Sequence, residues 1–387
     1  FFVARKAESD LCADYIQEIE NKLGIPTMGR AERFPEIFEY LMKLSIERPI
    51  TLFIDEFQEF FKVNKSVYSD MQRIWDMYHT KAHINLIVCG SIFSMMTKIF
   101  KDKKEPLYNR QTRFMSIKPF TPAVLKEIMA EYNPNYTSED LLALYSFTGG
   151  VAKYVQLLVD AGATTKTKML NHIIKADSVF LGEGKAILIE EFGKDYGVYF
   201  SILSAIARGK TLRSEIEQIV GREIGGYLTK LEKEYEVITK NQPIFEKSST
   251  KNVRYTMEDN FFTFWFRFIY KYNYMLEIEN YDAVKTIINR DYETFSGKML
   301  ERYFKRVLME SKAYTRIGSW WDRKGENEID IVAENELNDE AVFIEVKRKE
   351  DNFDAIALNE KVDVFTRATG KFKDYTVLQK GLSMTDM

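Results

Sequence analysis

Ile50-Thr51-Leu52-Phe53-Ile54-Asp55-Glu56 is an apolar run of buried-strand length that stops on two adjacent carboxylates. In open parallel sheets, ligands gather at the carboxyl ends of the strands. A carboxylate emerging there, Asp55, can hold Mg²⁺ against nucleotide phosphates, and its neighbour Glu56 can polarise an attacking water. The plainer alternative is a strand followed by a helix whose first turn favours acidic residues.

The flanking sequence favours the first reading. Ile84-Asn85-Leu86-Ile87-Val88-Cys89 is a second buried strand, ended by Gly90-Ser91. It would set a small polar side chain, Ser91, beside the two carboxylates. Helices are expected from about Ser9 to Leu23, from Pro35 to about Ile46, and from Tyr68 to Tyr78, the last with Met71, Ile74, Trp75 and Tyr78 on one face. Phe1 to Ala4 reads as a further strand. Strands alternating with helices predict a mostly parallel sheet covered on both faces. Pro106 to Arg113 then forms a loop before another strand-like run, Phe114 to Ile117. Arg110 in that loop could reach a γ-phosphate, or could be a surface salt-bridge residue.

Composition bounds the rest. The chain has 387 residues, more than one ordinary core accommodates, which predicts two to four domains. Hydrophobic residues make up 45% and aromatics 14%, which excludes a disordered chain. With 55 Lys+Arg against 58 Asp+Glu the net charge is −3, so a uniformly basic nucleic-acid coat is excluded but local basic surfaces are not. Cys12 and Cys89 are too few for a disulfide framework, and the scattered His79, His83 and His172 argue against a zinc enzyme. No apolar run approaches the roughly 18 to 20 residues of a membrane span. The reading is a soluble, cytoplasmic protein without a membrane partner.

Downstream of Thr121 the pattern turns helical, with Gly149-Gly150 punctuating two helices. Three short helices follow Asp195, marked by Ile202, Leu203 and Ile206, then Leu212, Ile216 and Ile219, then Ile224, Leu228 and Leu231. The stretch from Lys240 to Tyr255 is a candidate wing. Residues 194–258 carry 11 Lys+Arg against 9 Asp+Glu, so DNA binding and a packing role are equally open. Phe261 to Phe268 reads as core, and Trp320-Trp321 as core or as a base-stacking pair. Near the end, Glu328-Ile329-Asp330-Ile331-Val332-Ala333 and Ala341-Val342-Phe343-Ile344-Glu345-Val346-Lys347 are strands. Glu345 and Lys347 stand two apart and share a face. Paired as a hairpin, the strands would bring Asp330 to the same place. Asp330 and Glu345 could then hold Mg²⁺ while Lys347 positions a nucleophile, and Glu301 on an upstream helix could add a ligand. A half-buried strand with a surface acid–base pair is the bland alternative.

Taken together, Thr51 to Gln58 (a Walker B pattern), Cys89-Gly90-Ser91, Pro106 to Arg110 and Thr148-Gly149-Gly150-Val151-Ala152-Lys153-Tyr154 resemble the archaeal and bacterial AAA-type ATPases close to the STAND class. The resemblance covers essentially the whole chain. It implies ATP as ligand, Asp55 as the Mg²⁺ ligand, Glu56 as the residue that activates water, a sensor role for Ser91, and a γ-phosphate contact for Arg110. The order Glu301, Glu328-x-Asp330, Glu345-x-Lys347 resembles the PD-(D/E)xK nuclease superfamily, which implies DNA as a partner. The expected fold is α/β: a P-loop NTPase (AAA-like) parallel sheet with a helical lid, a winged helix and a C-terminal restriction-endonuclease-like domain. The expected divisions are 1–120 (ATPase core), 121–194 (lid), 195–258 (winged helix), 259–290 (aromatic connector) and 291–387 (nuclease-like domain).

One required motif is missing. Gly-x4-Gly-Lys-[Ser/Thr], whose backbone N–H groups and lysine cradle phosphates, does not occur. Gly24 to Gly29 is followed by Arg30-Ala31, Gly209-Lys210-Thr211 joins two helices, and Gly184-Lys185 precedes Ala186. Either ATP binding has been lost or the loop precedes Phe1; a sheet lacking the strand before that loop would expose unpaired backbone groups, which favours a strand, loop and helix upstream of Phe1. The expected function is ATP hydrolysis coupled to a DNA-binding, metal-dependent nuclease domain. The competing reading is a nucleotide-gated DNA-binding regulator or scaffold whose nuclease-like domain is silent. A homo-oligomer is compatible with either.

Overall fold

The computed structural model describes residues 1–25, 29–193, 196–247 and 249–387. They form two compact units, Phe1–Ser116 and Ile117–Met387.

In the first unit, α1 (Glu8–Leu23) stops at Gly24, whose φ of +64° only glycine adopts without strain. Then come α2 (Phe34–Glu47), with Pro35 in its first turn, and β1 (Ile50–Ile54). A short 3₁₀ turn leads through α3 (Phe60–Val63) and α4 (Ser66–Tyr78) to β2 (Ile84–Val88) and α5 (Phe93–Lys101). The two strands pair in parallel, Leu52 opposite Leu86 and Ile54 opposite Val88. Leu52 and Ile54 are buried in a core shared with α1, α2 and α4.

Three expectations are corrected here. The strand at Phe1 to Ala4 shrinks to a single bridge, Phe2 with Asp55, fixed by Val3 N–H on Asp55 O and Asp55 N–H on Phe1 O. Among the described residues the sheet is covered on one face only. Phe53 and Ile87, opposite each other in the register, remain 47% and 39% exposed, because side chains alternate across a strand and the helices pack on the Leu52–Ile54 side. Phe114 to Ile117 is not a strand. No neighbouring strand accepts its backbone bonds among the described residues, and Met115 and Ile117 are 73% and 98% exposed.

The second unit begins with helices α6 (Pro122–Tyr132), α7 (Ser138–Thr148), α8 (Ala152–Asp160), α9 (Lys166–Ile173) and α10 (Val179–Phe192). Next are α11 (Tyr196–Ala207), α12 (Arg213–Val220) and α13 (Gly225–Lys233), then the antiparallel hairpin β3 (Ile238–Asn241) and β4 (Arg254–Met257). Helix α14 (Asn260–Phe264) widens into a π-helical stretch over Trp265–Tyr270, followed by α15 (Asn273–Glu277) and the 31-residue α16 (Tyr281–Ser311). Strands β5 (Arg316–Trp321), β6 (Glu328–Asn335) and β7 (Glu340–Val346), helix α17 (Ala355–Thr369) and β8 (Thr376–Leu382) complete the chain. The sheet order is β5-β6-β7-β8, antiparallel except for the last, parallel pair. Strand β5 was not expected; Gly318 and Ser319 interrupt its apolar pattern, and the sheet is bulged there. No described helix is long and apolar enough to cross a membrane.

One core runs from Leu125 in α6 to Leu382 in β8, with Phe261, Phe264, Trp265, Phe266 and Phe268 inside it. Gly184 of α10 lies flat against the Trp265 indole, where a Cβ would stand 2.5 Å from the ring. Gly to Ala within a helix normally gains about 1 kcal/mol, yet here overpacking should dominate. Gly184→Ala is expected to lower stability by about 1–3 kcal/mol in urea unfolding. A stabilised variant would show that the indole can step aside.

The candidate wing does not stand free. At its turn Ile244 donates its N–H to Ser319 O and is buried with Trp320, Ile329, Phe343 and Phe365, while Phe245 stacks edge-on to Phe365 and Phe372. The segment packs against the C-terminal sheet, and Ser248 lies outside the described residues. Trp320 and Trp321 are likewise buried: Trp321 donates Nε1–H to Asn252 and its face carries Arg254, which removes the base-stacking reading. Of the three glycine-rich stretches considered for phosphate binding, Gly209 to Thr211 is the turn after α11 and Gly184 is helical. Residues 26–28 of the third lie outside the described residues, as do Lys194 and Asp195 at the expected lid boundary.

Candidate functional sites

Strand β1 ends on Asp55, and the chain turns at once. Glu56 adopts a left-handed backbone, φ +53° and ψ +39°, which costs a non-glycine residue roughly 1–2 kcal/mol and collects at functional sites. The turn is held from both sides: Asp55 Oδ1 accepts the Glu56 N–H at 2.9 Å, and Cys89 O accepts the Phe57 N–H at 2.9 Å. The end of β2 thereby meets the end of β1. Cys89 donates its thiol to Asp55 Oδ1 at 2.7 Å, and burial together with the Asp55 carboxylate pushes that thiol up to about 11, so it stays a donor. Ser91 donates to Glu56 Oε2 at 3.0 Å, and Gln58 Nε2 donates to the same oxygen. Gln58 is fully buried, with Oε1 lacking a hydrogen-bond partner and pressed toward Gly90.

Asp55, Glu56 and Ser91 are thus brought together. Arg110 is not: its guanidinium pairs with Asp76 of α4 at 3.0 Å and donates to Tyr108 O. Gln58 and Cys89 complete the cluster without having been given a role from sequence. Their spacing from Glu56 and Ser91 was visible, but only the αL turn folds Gln58 back on Glu56. A Cβ at Gly90 would fall 2.0 Å from Gln58 Oε1. Gly90→Ala should therefore dislodge Gln58 and loosen Glu56, lowering any turnover that depends on Glu56 by about 10-fold or more at little change in far-UV circular dichroism. Unchanged turnover would mean that Gln58 does not hold Glu56 in the working enzyme.

In the second unit the hairpin register pairs Ile331 with Ile344 and Val332 with Phe343, which continues to Asp330 beside Glu345. Asp330 Oδ2 accepts the Val346 N–H at 2.8 Å. Lys347 Nζ lies 2.9 Å from Glu345 Oε1, and Lys361 of α17 reaches both Glu345 oxygens at 2.9 and 3.1 Å. Burial alone would raise the Glu345 carboxyl, but these two lysines outweigh it and hold it below its usual range. Glu301 of α16 pairs with Lys298 at 3.0 Å. Burial pushes Glu301 and Asp330 upward, and repulsion adds to it, from Asp330 on Glu301 and from Glu345 on Asp330. Next to Lys347, Arg348 donates to Glu139 at the start of α7 at 2.6 Å, and to Ser296 of α16.

Carboxylates that repel one another out of water form a donor set that suits a divalent cation. As arranged, lysines pair with Glu345 and Glu301, Asp330 accepts the Val346 N–H, and among the described residues no three His, Cys, Asp or Glu side chains converge as a ligand group. Lys361 and Lys298 were missed from sequence. Lys361 sits between Leu358 and Val362 on the buried stripe of α17, a position that helical periodicity marks as facing the sheet.

Residues 4–158 match the family described as an ATPase domain predominantly from Archaea. Residues 265–374 match a family of archaeal and bacterial proteins of unknown function. An uncharacterized protein of Methanocaldococcus jannaschii is 33% identical over 340 residues, covering 84% of this chain and 72% of that protein. A second uncharacterized protein of the same organism is 34% identical over 56 residues, 14% of this chain and 54% of its own length. With carboxylates at the end of a parallel strand inside the matched segment, and a relative alike over most of both lengths, the chain belongs to this archaeal ATPase family.

Proposed function

We propose that the protein hydrolyses ATP at the Asp55–Glu56 strand end and couples that cycle to a C-terminal domain that acts on DNA. The observation that carries the first half is the junction of β1 and β2. One carboxylate is fixed there by Cys89 and its own turn, and the other by Ser91 and Gln58. Mg²⁺, held by Asp55 in the first unit and by Glu301, Asp330 and Glu345 in the second, would supply positive charge to phosphate oxygens and acidify a bound water. Glu56 takes the proton of the attacking water, and Ser91 and Gln58 keep its carboxylate aimed. Ser91 is the sensor of this reading. Arg110 would contact a γ-phosphate after leaving Asp76. In the second unit Lys347 orients the nucleophile or neutralises charge developing on a scissile phosphate.

In domain terms we read residues 1–120 as a P-loop-type core, 121–194 as a lid, 195–258 as a winged helix, 259–290 as a connector and 291–387 as a PD-(D/E)xK-like domain. A second reading, a nucleotide-gated DNA-binding scaffold with a silent terminal domain, is favoured by one observation: two lysines already neutralise Glu345. ATP turnover by the full-length protein, with Mg²⁺ and with a chelator, tests the ATPase. Chelator-sensitive turnover is expected, and none in Mg²⁺ would refute it.

A further inference from the structure

Apart from both sites, the ends of α11 and of the π-helical stretch, with α16, border a half-open pocket of about 140 Å³ lined by Arg208, Arg267, Lys271 and Asp291. Three cations face one carboxylate, and that carboxylate is already engaged. Arg290 donates to both Asp291 oxygens, at 2.7 and 3.0 Å. Arg267 is left with Ala207 O at 3.4 Å and with the faces of Phe268 and Phe295, 5.6 and 5.9 Å away. Arg208 places Nε on Ser204 O, and Lys271 lies over the Tyr272 ring. Among the described residues none of these three cations has an ion pair.

A half-buried guanidinium whose neighbouring carboxylate, Asp291, is already held by Arg290 is only partly compensated. Burial accordingly lowers the Arg267 pKa from its ordinary value, against the raising effect of Asp291 and Tyr272. Arg267 also sits in a π-helical turn, a widened geometry that recurs at functional sites. A mobile anion satisfies this arrangement where a fixed carboxylate does not. Guanidinium forks match the oxygens of a phosphate bidentately.

We propose that this cavity is a phosphate-binding subsite, with Arg267 at its floor and the exposed Arg208 and Lys271 at its rim. At about 140 Å³ it falls below the ~300 Å³ of sites that enclose a whole small molecule. It therefore takes one phosphate and leaves the attached group outside, as a nucleic-acid backbone requires. The polymer's identity rests on the DNA-acting reading above; the anion chemistry does not.

The test uses the full-length protein, Arg208→Ala/Lys271→Ala and Arg267→Lys, with two probes. The first is a labelled DNA duplex followed by anisotropy across a salt series. The second is inorganic phosphate against chloride at equal ionic strength, followed by thermal melting. Both variants are expected to bind duplex about 10-fold more weakly, and the double variant's salt slope to fall by roughly 0.9, one phosphate's share. Phosphate should raise the wild-type melting temperature and leave that of Arg267→Lys unmoved. A wild type that ignores duplex but responds to phosphate in this way keeps the subsite, identifies free phosphate as its source and sinks the DNA reading. Variants that match a duplex-binding wild type with both probes would overturn the subsite and leave the DNA reading standing.

Discussion

Replacing Glu56 by Gln is expected to lower Mg²⁺-dependent ATP turnover by about 10²- to 10³-fold while ATP affinity stays within a few-fold of wild type. The argument is geometric. Gln58 Nε2 and Ser91 Oγ both donate to one Glu56 oxygen, and a glutamine oxygen accepts the same two bonds. Side-chain volume is nearly unchanged, and the left-handed turn is fixed by the Glu56 N–H on Asp55 Oδ1 and the Phe57 N–H on Cys89 O, which the substitution does not touch. What disappears is the negative charge and the capacity to take a proton. Binding, which the proposed function assigns to Asp55 and to contacts with the rest of the nucleotide, should survive. Turnover and equilibrium binding of a labelled ATP analogue, measured on the same preparations, separate the two. Wild-type turnover in Glu56→Gln would remove Glu56 from the chemistry. Parallel loss of binding and turnover would make it a structural residue of the turn.

Sequence patterns disclosed the elements whose signal is local. The strand ending at Asp55 shows itself because an apolar run of five residues stops abruptly on charge, and α1, α2 and α4 show themselves by period-3.6 burial. The approach of Asp330 to Glu345 was equally legible, since a period-two strand pair joined by a short turn has few registers. Long-range choices were not. Nothing near Ile244 in the chain says that its N–H will meet Ser319, 75 residues on, so packing, one of the two roles open to the hairpin, could not be singled out. Phe114 to Ile117 has strand composition but joins no strand among the described residues. Arg110 could be either a phosphate contact or a salt-bridge residue because Asp76, its partner, comes from a helix whose orientation only tertiary packing sets. The second lysine on Glu345 was hidden for the same reason: Lys361 reaches it across the α17–sheet interface. In each case the missing information was which surfaces meet.

Lys347→Ala should abolish any metal-dependent DNA cleavage by the full-length protein, by about 10²-fold or more, without unfolding the terminal domain. Removing one partner of a buried ion pair normally costs about 3–5 kcal/mol because it strands the other charge. Here it does not strand Glu345. Lys361 still contacts both of its oxygens, so stability should drop by no more than about 1 kcal/mol, in keeping with a partly exposed lysine. Lys361→Ala supplies the control. It leaves Lys347 on Glu345 and should disturb stability comparably while cleavage persists. Cleavage of linear and branched DNA in Mg²⁺, alongside urea unfolding of both variants, gives the comparison. Equal loss of cleavage in the two would show that neutralising Glu345, not presenting Lys347, is what matters. If the wild type binds DNA but never cuts it, the pair of lysines on Glu345 becomes the resting structure of a binding domain, and the scaffold reading stands.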